Sequence, residues 1–418
     1  MSQRMGPATP RSMKLGLVPE RQASPPGSPA GAGQADARRC LSGVALASGR
    51  PPLAEGGAGP LLLHSLAQAA FLYEGVAYNL IFLRKVLPAA GKEDCVWPFF
   101  LLFNSFYGLA LFSFYRAHCS DPGFIPDSWL EFTARVGTAL PLAPARQEWQ
   151  LGVATFCKRC SIARPERSHH CNACGRCVMR MDHHCPWINN CVGFMNHKFF
   201  LLLVVYAVVA CVVAISTSLP ELLRCLVALA RRQADVFHRT PQPAVSEIVV
   251  FVVFGLLDFA FLALLTPMLS QHVQLAALNL TSVEGNYDSM DNPFDLGTTR
   301  RNLEQIFGRF GPDWFLPVTP ARPLSDGITF PRNYEPLGPD GLPQGIVREY
   351  GQQRTTQEKL WRLRYQVRPT SSPQDPARGQ EPSLQQLMDF TGCYAPCPVE
   401  RDVDSVIMPP QRRPGWYA

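Results

Sequence analysis

The sequence predicts an all-α integral membrane protein with four transmembrane helices and a cytosolic, cysteine-rich domain between helices 2 and 3. Three observations support this prediction. Charged residues make up 17% of the 418 residues, whereas soluble domains carry roughly 25%. Four apolar stretches approach the ~20 residues that a helix needs to cross a bilayer. Seven of the 14 cysteines lie between Cys157 and Cys191, which separate the second stretch from the third.

The four apolar stretches are Leu61–Leu83, Val96–Tyr115, Phe199–Leu219 and Ile248–Leu269. The third stretch contains no charge and shows no polar face, which argues against buried helices of a soluble bundle. His64 and Glu74 interrupt the first stretch, and Asp258 lies inside the fourth. Because a carboxylate is costly in lipid, Glu74 and Asp258 should face other helices.

Composition divides the rest of the chain. The expected parts are a disordered cytosolic tail (1–58), helices 1 and 2 (59–118), a cytosolic loop (119–198) with the cysteine-rich domain (157–200), helices 3 and 4 (199–270), a mixed segment (271–316) and a largely disordered, proline-rich tail (317–418). The two tails are rich in Pro, Gly and Ser and cannot bury a core. Within the second tail, a surface helix is compatible with Gln352–Arg364.

The charge pattern gives the orientation. Four spans place both termini and the 2–3 loop on one side of the membrane. Lys and Arg in that loop modestly favour the cytosol, and so does a cluster of reduced cysteines. The net charge of +6 suits an anionic membrane surface or a phosphate-bearing ligand. It is too small to indicate nucleic acid as a partner.

The cysteine-rich segment reads CKRCSIARPERSHHCNACGRCVMRMDHHCPWINNC. Two tetrahedral zinc sites, each with three cysteines and one histidine, would use six cysteines and two histidines. The segment holds seven cysteines and four histidines, so one thiol and two histidines are surplus. A surplus thiol beside His and Asp is a candidate nucleophile. The alternative is a purely structural zinc domain in which Asp182 and His183 only orient ligands.

The segment Cys157–Phe200 resembles the cysteine-rich domain of the DHHC family of protein S-acyltransferases. The resemblance rests on RPERSHHC, DHHCPW, INNC and the Asn196 of GFMNHKFF, and outside them on Asp121-Pro122-Gly123, Thr281-Ser282-Val283-Glu284 and Asn302 in NLEQIFG. Ser282 stands where the family usually has Thr. The resemblance implies a cytosolic double-zinc domain between membrane helices 2 and 3.

The resemblance also implies which residues act. One zinc ion would be held by Cys157, Cys160, His170 and Cys177, and the other by Cys171, Cys174, His184 and Cys191. Neighbouring histidines cannot easily share one tetrahedron, so each His-His pair should divide its roles. Cys185, His183 and Asp182 then remain as nucleophile, base and orienting carboxylate.

The implied reaction moves a long acyl group from palmitoyl-CoA onto cysteines of membrane-associated substrate proteins, through an acyl-enzyme on Cys185. Arg164, Arg167 and His169 are candidates for the coenzyme A phosphates, and a solvated basic face explains them equally well. Ser282 should hydrogen-bond Asp182. The remaining motif residues should position backbone as structural support: Thr281, Glu284 and Asn302.

The family resemblance implies the Golgi or endoplasmic reticulum membrane, with the plasma membrane as a further option. Two other classes compete: a membrane-anchored zinc module that only binds proteins, and a zinc-finger nucleic-acid binder. On the third stretch, Ala207, Ala210 and Ala214 share one helical face. That face suits either close helix packing or one wall of an acyl cavity.

Overall fold

The computed structural model describes residues 58–232, 236–237, 241–287, 291–334 and 353–367. The predicted tail 1–58 lies outside the described residues except for its last position, and so does most of the predicted tail 317–418. The described residues contain four helices long and apolar enough to cross a membrane, and they span Leu61–Ala89, Glu93–Cys119, His197–Arg231 and Val245–Ala277. The chain is therefore a multi-pass membrane protein.

The first two spans form an antiparallel pair. Helix α1 covers Ala58–Val76 and continues as a wider π-helical segment, Ala77–Val86, and one α turn, Leu87–Ala89. Helix α2 covers Val96–Cys119. An Asn79–Asn104 pair joins the two helices through two hydrogen bonds of 2.8 and 3.1 Å. Such reciprocal amide bonds satisfy polar groups that lipid cannot.

The third and fourth spans are longer than their apolar stretches. A short helix, α3, covers Asp127–Val136 between the second and third spans. The third span is helix α4, His197–Arg231, and the fourth is helix α5, Val245–Ala277. The extra turns carry polar side chains, including His197 and His272, toward the cysteine-rich domain. The helical turns beyond the apolar stretches thus bring His197 and His272 to this domain. Hydropathy does not reveal these turns, because their side chains are polar.

The carboxylates predicted to avoid lipid do so. Asp258 is 2% exposed, and both carboxylate oxygens of Glu74 are buried. The surrounding bundle core is aromatic, with the Tyr78 and Phe103 rings stacked at 3.8 Å and Phe82 against Phe251 at 5.4 Å. Burial among other helices is the arrangement expected for ionisable groups in a span.

The cysteine-rich region adds short strands to the otherwise helical fold. They are β1 Leu142–Ala143, β2 Ala154–Cys157, β3 Ile162–Arg164, β4 His169–Cys171, β5 Arg176–Val178, β6 His183–Cys185 and β7 Asn190–Val192. Strands β1–β2–β3 form one sheet, and β4–β5 and β6–β7 form two hairpins. The all-α prediction did not include them, because strands of two to four residues show no readable periodicity.

Two further helices follow the fourth span. Helix α6, Thr299–Phe307, packs against the third and fourth spans, and helix α7, Gln353–Arg364, packs against α3. Helix α7 forms in the segment that the sequence predicts to be compatible with a surface helix, but its Trp361 is 1% exposed and packs edge-on against Trp129 of α3 at 5.5 Å. The Trp361 indole N–H also donates to Asp326 at 2.9 Å. The helix is therefore docked rather than free on the surface.

Candidate active site and metal centres

The first predicted zinc ligand set lies together. The Nδ1 atom of His170 is 3.6 Å from the Cys157 sulfur, 3.2 Å from Cys160 and 3.8 Å from Cys177. Zinc bonds of about 2.3 Å to sulfur and about 2.0 Å to nitrogen put tetrahedral ligand atoms roughly 3.5–3.8 Å apart. The four donors are thus spaced for one tetrahedral metal ion, and their thiol–imidazole chemistry fits zinc.

The second set has the same geometry. The Nδ1 atom of His184 lies 3.6 Å from Cys171, 3.4 Å from Cys174 and 3.6 Å from Cys191. The ligands of each cluster come from two hairpins, so a metal ion would tie the hairpins to each other. The two clusters together take six of the seven cysteines between Cys157 and Cys191.

Strand geometry explains how each His-His pair divides. Side chains alternate between the two faces of a strand. In β6, His184 therefore points toward the second metal cluster, whereas His183 and Cys185 share the opposite face. The same alternation in β4 sends His170 to the first cluster and His169 away from it.

The remaining thiol faces the remaining base. His183 and Cys185 share one face of β6 and shift each other's pKa, and the Nδ1–H of His183 donates to Asp182 Oδ2 at 2.6 Å. Asp182 is 1% exposed. Thiol, imidazole and carboxylate thus lie in the order that a nucleophile, a base and a carboxylate that orients the base would require.

Burial and hydrogen bonding oppose each other at these groups. Burial raises the pKa of Cys185, but the hydrogen bond and positive charge of His183 outweigh it and lower that pKa below the usual thiol value. Burial lowers the pKa of His183, but its bonds to Asp182 and Cys185 raise it to about 9. For Asp182 the bond from His183 overcomes burial and holds the carboxyl pKa well below its usual range. All three shifts favour a thiolate–imidazolium pair.

The segment after the fourth span clamps the orienting carboxylate. The Ser282 backbone N–H donates to Asp182 Oδ1 at 2.8 Å, and its hydroxyl donates to Oδ2 at 3.0 Å. Thr281 and Glu284 close the local turn: the Thr281 N–H donates to the Glu284 carboxylate, and the Glu284 N–H donates to the Thr281 hydroxyl. Serine therefore makes the contact expected from the sequence.

A buried ion pair anchors this turn to the cysteine-rich region. The Arg167 guanidinium makes two 2.7 Å bonds to Glu284, and both side chains are 1% exposed. Its Nη2–H also donates to the Asn279 carbonyl at 2.7 Å, and its plane lies 4.3 Å from the Phe294 ring centroid. Bidentate pairing, hydrogen bonding and stacking are the contacts that Arg favours in burial.

The three candidates for phosphate binding line one cleft. Arg164, Arg167 and His169 form part of its wall together with Trp149 and Tyr287. The guanidinium of Arg167 is already bonded to Glu284, and the Nε of Arg164 donates to the Thr155 hydroxyl at 3.2 Å. Burial lowers the pKa of His169 to about 4, so this imidazole is neutral at physiological pH. All three candidates therefore line one cleft, but they differ in charge: His169 is neutral, and the charge of Arg167 is paired with that of Glu284.

Two histidines near the site, His272 and His197, were not predicted from the sequence. His272 of the fourth span lies 3.7 Å from Asp182 Oδ2, which exceeds hydrogen-bond length, and its ring packs against Phe200 at 4.9 Å. His197 accepts a 3.2 Å bond from Arg180 on Nδ1. The available signal was a histidine near the end of an apolar span, since ionisable residues in spans are usually functional.

The Cys185 thiol borders the membrane bundle. The buried residues packed with Cys185 include Phe114 of the second span and Phe199, Phe200 and Leu203 of the third; partly buried residues of the other two spans complete the cluster: Ala67, Phe71, Met268 and Leu269. All four spans thus contribute apolar contacts on the membrane side of one thiol.

Comparison with known proteins decides the family. Residues 152–288 match the family model of the DHHC palmitoyltransferase. The chain is 31% identical over 230 residues to a probable protein S-acyltransferase 12 of Arabidopsis thaliana, covering 53% of this chain and 75% of the relative. This chain belongs to the DHHC palmitoyltransferase family. It is therefore an acyltransferase enzyme that acts on proteins.

Two vertebrate relatives agree. The chain is 37% identical over 186 residues to palmitoyltransferase ZDHHC15 of Xenopus laevis, covering 43% of this chain and 51% of the relative. It is 34% identical over 196 residues to palmitoyltransferase ZDHHC20 of Mus musculus, covering 44% and 50%. The chain thus spans about half the length of each of these two DHHC enzymes.

The outlying family motifs join the DHHC region to the membrane. Asp121 accepts from the Gly123 and Phe124 N–H groups, which shapes the turn after the second span. Asn302 of α6 donates to the Ala277 carbonyl at the end of the fourth span and accepts from the Leu296 N–H, both at 2.8 Å. These contacts fix the catalytic region against the bundle.

Proposed function

We propose that this protein S-acyltransferase carries its acyl group on Cys185. The supporting observation is that Cys185 is the only thiol between Cys157 and Cys191 outside the two metal clusters. In addition, His183 lowers the pKa of this thiol. The His183–Asp182 bond of 2.6 Å supports a base held in one tautomer. A module that only binds proteins would have no use for this arrangement.

The proposed reaction has two thioester exchanges. His183 takes the proton from Cys185, the sulfur attacks the acyl carbonyl carbon, and the carbon–sulfur bond to coenzyme A breaks. The proton passes to the departing thiolate, which leaves as free coenzyme A. A cysteine thiol of a substrate protein then gives its proton to His183 and attacks the Cys185 thioester, the bond between the acyl carbon and the Cys185 sulfur breaks, and His183 passes that proton to Cys185. No oxidant or reductant is needed, because one thioester replaces another in each step.

The proposed donor is palmitoyl-CoA or a similar long acyl-CoA. The apolar residues around Cys185 come from all four spans, and each buried methylene stabilises a bound chain by about 0.8 kcal/mol. A chain entering the bundle at Cys185 places its thioester beside the sulfur. Its coenzyme A portion then remains at the cytosolic side, where charged groups are hydrated.

The cleft lined by Arg164, Arg167 and His169 is the proposed contact for the coenzyme A phosphates. Because Arg167 shares its charge with Glu284, we assign Arg164 the larger electrostatic contribution. His169, neutral through burial, would contribute hydrogen bonding instead of charge. A solvated basic face is the alternative, and phosphate-free acyl donors distinguish the two.

Two structural zinc ions are proposed for the Cys/His clusters. Their ligand spacing suits tetrahedral zinc, and each would contribute free energy of folding where the hairpins bury little apolar surface. Neither ion takes part in the proposed chemistry. Their contribution is to fix β6, so that His183 and Cys185 face Asp182 and the membrane.

The proposed setting is an endomembrane, Golgi or endoplasmic reticulum, with the plasma membrane as a further option and the active site on the cytosolic face. Free thiols at all eleven cysteines of the described residues support a reducing compartment. The proposed partners are membrane-associated proteins with cysteines near the cytosolic membrane surface. No nucleic acid is expected.

A labelling experiment tests the proposed nucleophile. Purified wild type, Cys185→Ser and Cys119→Ser are incubated with labelled palmitoyl-CoA, and hydroxylamine-sensitive label on the chain is measured. Cys119, an exposed cysteine outside the metal clusters, provides the control. We expect Cys185→Ser to lose all label and Cys119→Ser to keep it. Normal self-acylation of Cys185→Ser, with its metal content intact, would overturn the proposal.

A further inference from the structure

The turn after the nucleophile is closed by a backbone hydrogen bond. Pro186–Asn189 connects β6 to β7, and the Asn189 N–H donates to the Pro186 carbonyl at 3.1 Å. Cys185 is the last residue of β6, and Ile188 of the turn packs with it in one buried apolar cluster. The backbone of this turn therefore helps to fix the position of the nucleophilic sulfur.

Two histidines from the membrane spans hold the carbonyls of the same turn. The Nδ1–H of His64, in the first span, donates to the Trp187 carbonyl at 3.1 Å. The Nδ1–H of His118, in the second span, donates to the Ile188 carbonyl at 2.7 Å. Because a peptide unit is planar and trans, the Trp187 carbonyl and the Ile188 N–H point in opposite directions on one rigid plane. Fixing that carbonyl therefore fixes the peptide plane between Trp187 and Ile188, in the turn that directly follows Cys185.

The surroundings of His64 determine its tautomer. The Gln68 side-chain nitrogen lies 3.2 Å from Nε2 of His64. An amide nitrogen only donates, so Nε2 accepts and the proton of the neutral ring is on Nδ1. This is the tautomer that can donate to the Trp187 carbonyl. One helix thus supplies both the histidine and the glutamine that sets its proton.

The two imidazoles form a rigid pair. Their rings stack with centroids 4.3 Å apart, and the His64 ring also stacks on Phe114 at 5.5 Å. Phe114 in turn packs in the apolar cluster around Cys185. Both histidines lie outside residues 152–288, which the family model matches. Their contacts are therefore a property of how the first two spans of this chain meet the catalytic region.

We propose that His64 and His118 are positioning residues for the acyl-transfer reaction: they hold the turn Pro186–Asn189 and thereby fix the position of the Cys185 sulfur for attack on the acyl donor. They touch neither the reacting atoms nor a metal cluster and act only through the turn. The inference rests on the proposed role of Cys185 as nucleophile.

The test compares a variant that keeps the ring with one that keeps the donor. His64→Phe retains an aromatic ring for stacking but has no N–H, whereas His64→Asn places an amide N–H close to the Nδ1 position. First-turnover acylation by labelled palmitoyl-CoA is followed over a range of donor concentrations. Losing one hydrogen bond of ordinary strength should lower the maximal acylation rate about tenfold for His64→Phe. His64→Asn should recover most of it, with the half-saturating donor concentration unchanged in both.

Metal content and the thermal unfolding midpoint separate positioning from folding. Leu66→Phe, an exposed position on the same helix, is the matched control and should behave as wild type. Equal rates in His64→Phe and wild type overturn the inference, and so does an equally slow His64→Asn with normal metal content and stability. If His64→Phe does not fold, His118→Phe and His118→Asn repeat the comparison at the neighbouring carbonyl. Should Cys185→Ser still self-acylate, the proposed function itself fails, whatever the histidine variants show.

Discussion

The Ser282 hydroxyl donates a hydrogen bond to the Asp182 carboxylate at 3.0 Å, although the two residues lie 100 positions apart in the sequence. The serine begins the segment after the fourth span, and the aspartate precedes the candidate base. The end of a membrane helix is thereby coupled to the carboxylate that we propose as the group orienting the base. A displacement of the fourth span relative to the DHHC region would be felt directly at Asp182.

Removing this hydroxyl should weaken catalysis without abolishing it. In Ser282→Ala the backbone N–H still donates to Asp182, so only one of two bonds is lost, and we expect the acylation rate to fall about three- to tenfold. Ser282→Thr keeps the hydroxyl and should stay close to wild type. Initial rates of acylation with palmitoyl-CoA measure both. A rate in Ser282→Ala equal to wild type would mean that the hydroxyl does not help to orient Asp182.

Metal removal should unfold the cysteine-rich domain. We expect two zinc ions per chain, and one fewer in Cys171→Ser, because ligand loss opens the second tetrahedron. Structural zinc sites contribute folding free energy directly, so this variant should melt at a lower temperature and self-acylate poorly. Cys119→Ser controls for loss of a thiol outside the clusters. Metal analysis that finds one ion or none in wild type would contradict the ligand assignment.

Breaking the Arg167–Glu284 pair should destabilise the protein strongly. Both side chains are 1% exposed, and loss of one partner from a buried pair typically costs about 3–5 kcal/mol. The exposed Arg146–Glu148 pair, 65% and 40% exposed, provides the control, because such pairs contribute at most about 1 kcal/mol. Denaturant unfolding of Glu284→Gln and Glu148→Gln in detergent measures the two losses. Similar small effects would show that the buried pair does not anchor the turn.

The face of the third span that carries small residues gives a prediction on acyl-chain length. Ala210 is 6% exposed and packs in the bundle core, six residues and roughly 9 Å beyond Val204 in the Cys185 cluster. If this face borders the chain, Ala210→Phe should shift preference from stearoyl- and palmitoyl-CoA to shorter donors. Each methylene excluded should cost roughly fourfold in affinity.

Competition between acyl-CoAs of different length on the same sample measures this shift. Val212→Phe, at an exposed position of the same span, is the matched control. An unchanged length profile in Ala210→Phe would leave close helix packing as the role of the small residue.

The sequence determined the composition of the site. Counting ligands left one thiol over, and the family resemblance implied that this thiol is Cys185, with His183 and Asp182 beside it. The strand alternation that divides each His-His pair is visible only in the structure. The membrane spans were equally local, since length and apolarity alone identify them. Their ends were less certain, because hydropathy does not register the polar turns that bring His197 and His272 to the site.

Only the tertiary structure decided which distant groups meet. That Arg167 is committed to Glu284, that His272 approaches Asp182, and that His64 and His118 bind the turn after Cys185 depends on how four helices pack. The relative positions of the four helices arise from many weak apolar contacts summed over the bundle, and no single spacing in the sequence encodes these positions. The spacing of cysteines and histidines along the chain indicates the metal sites. Long-range packing of the helices decides which residues contact Asp182 and the turn after Cys185.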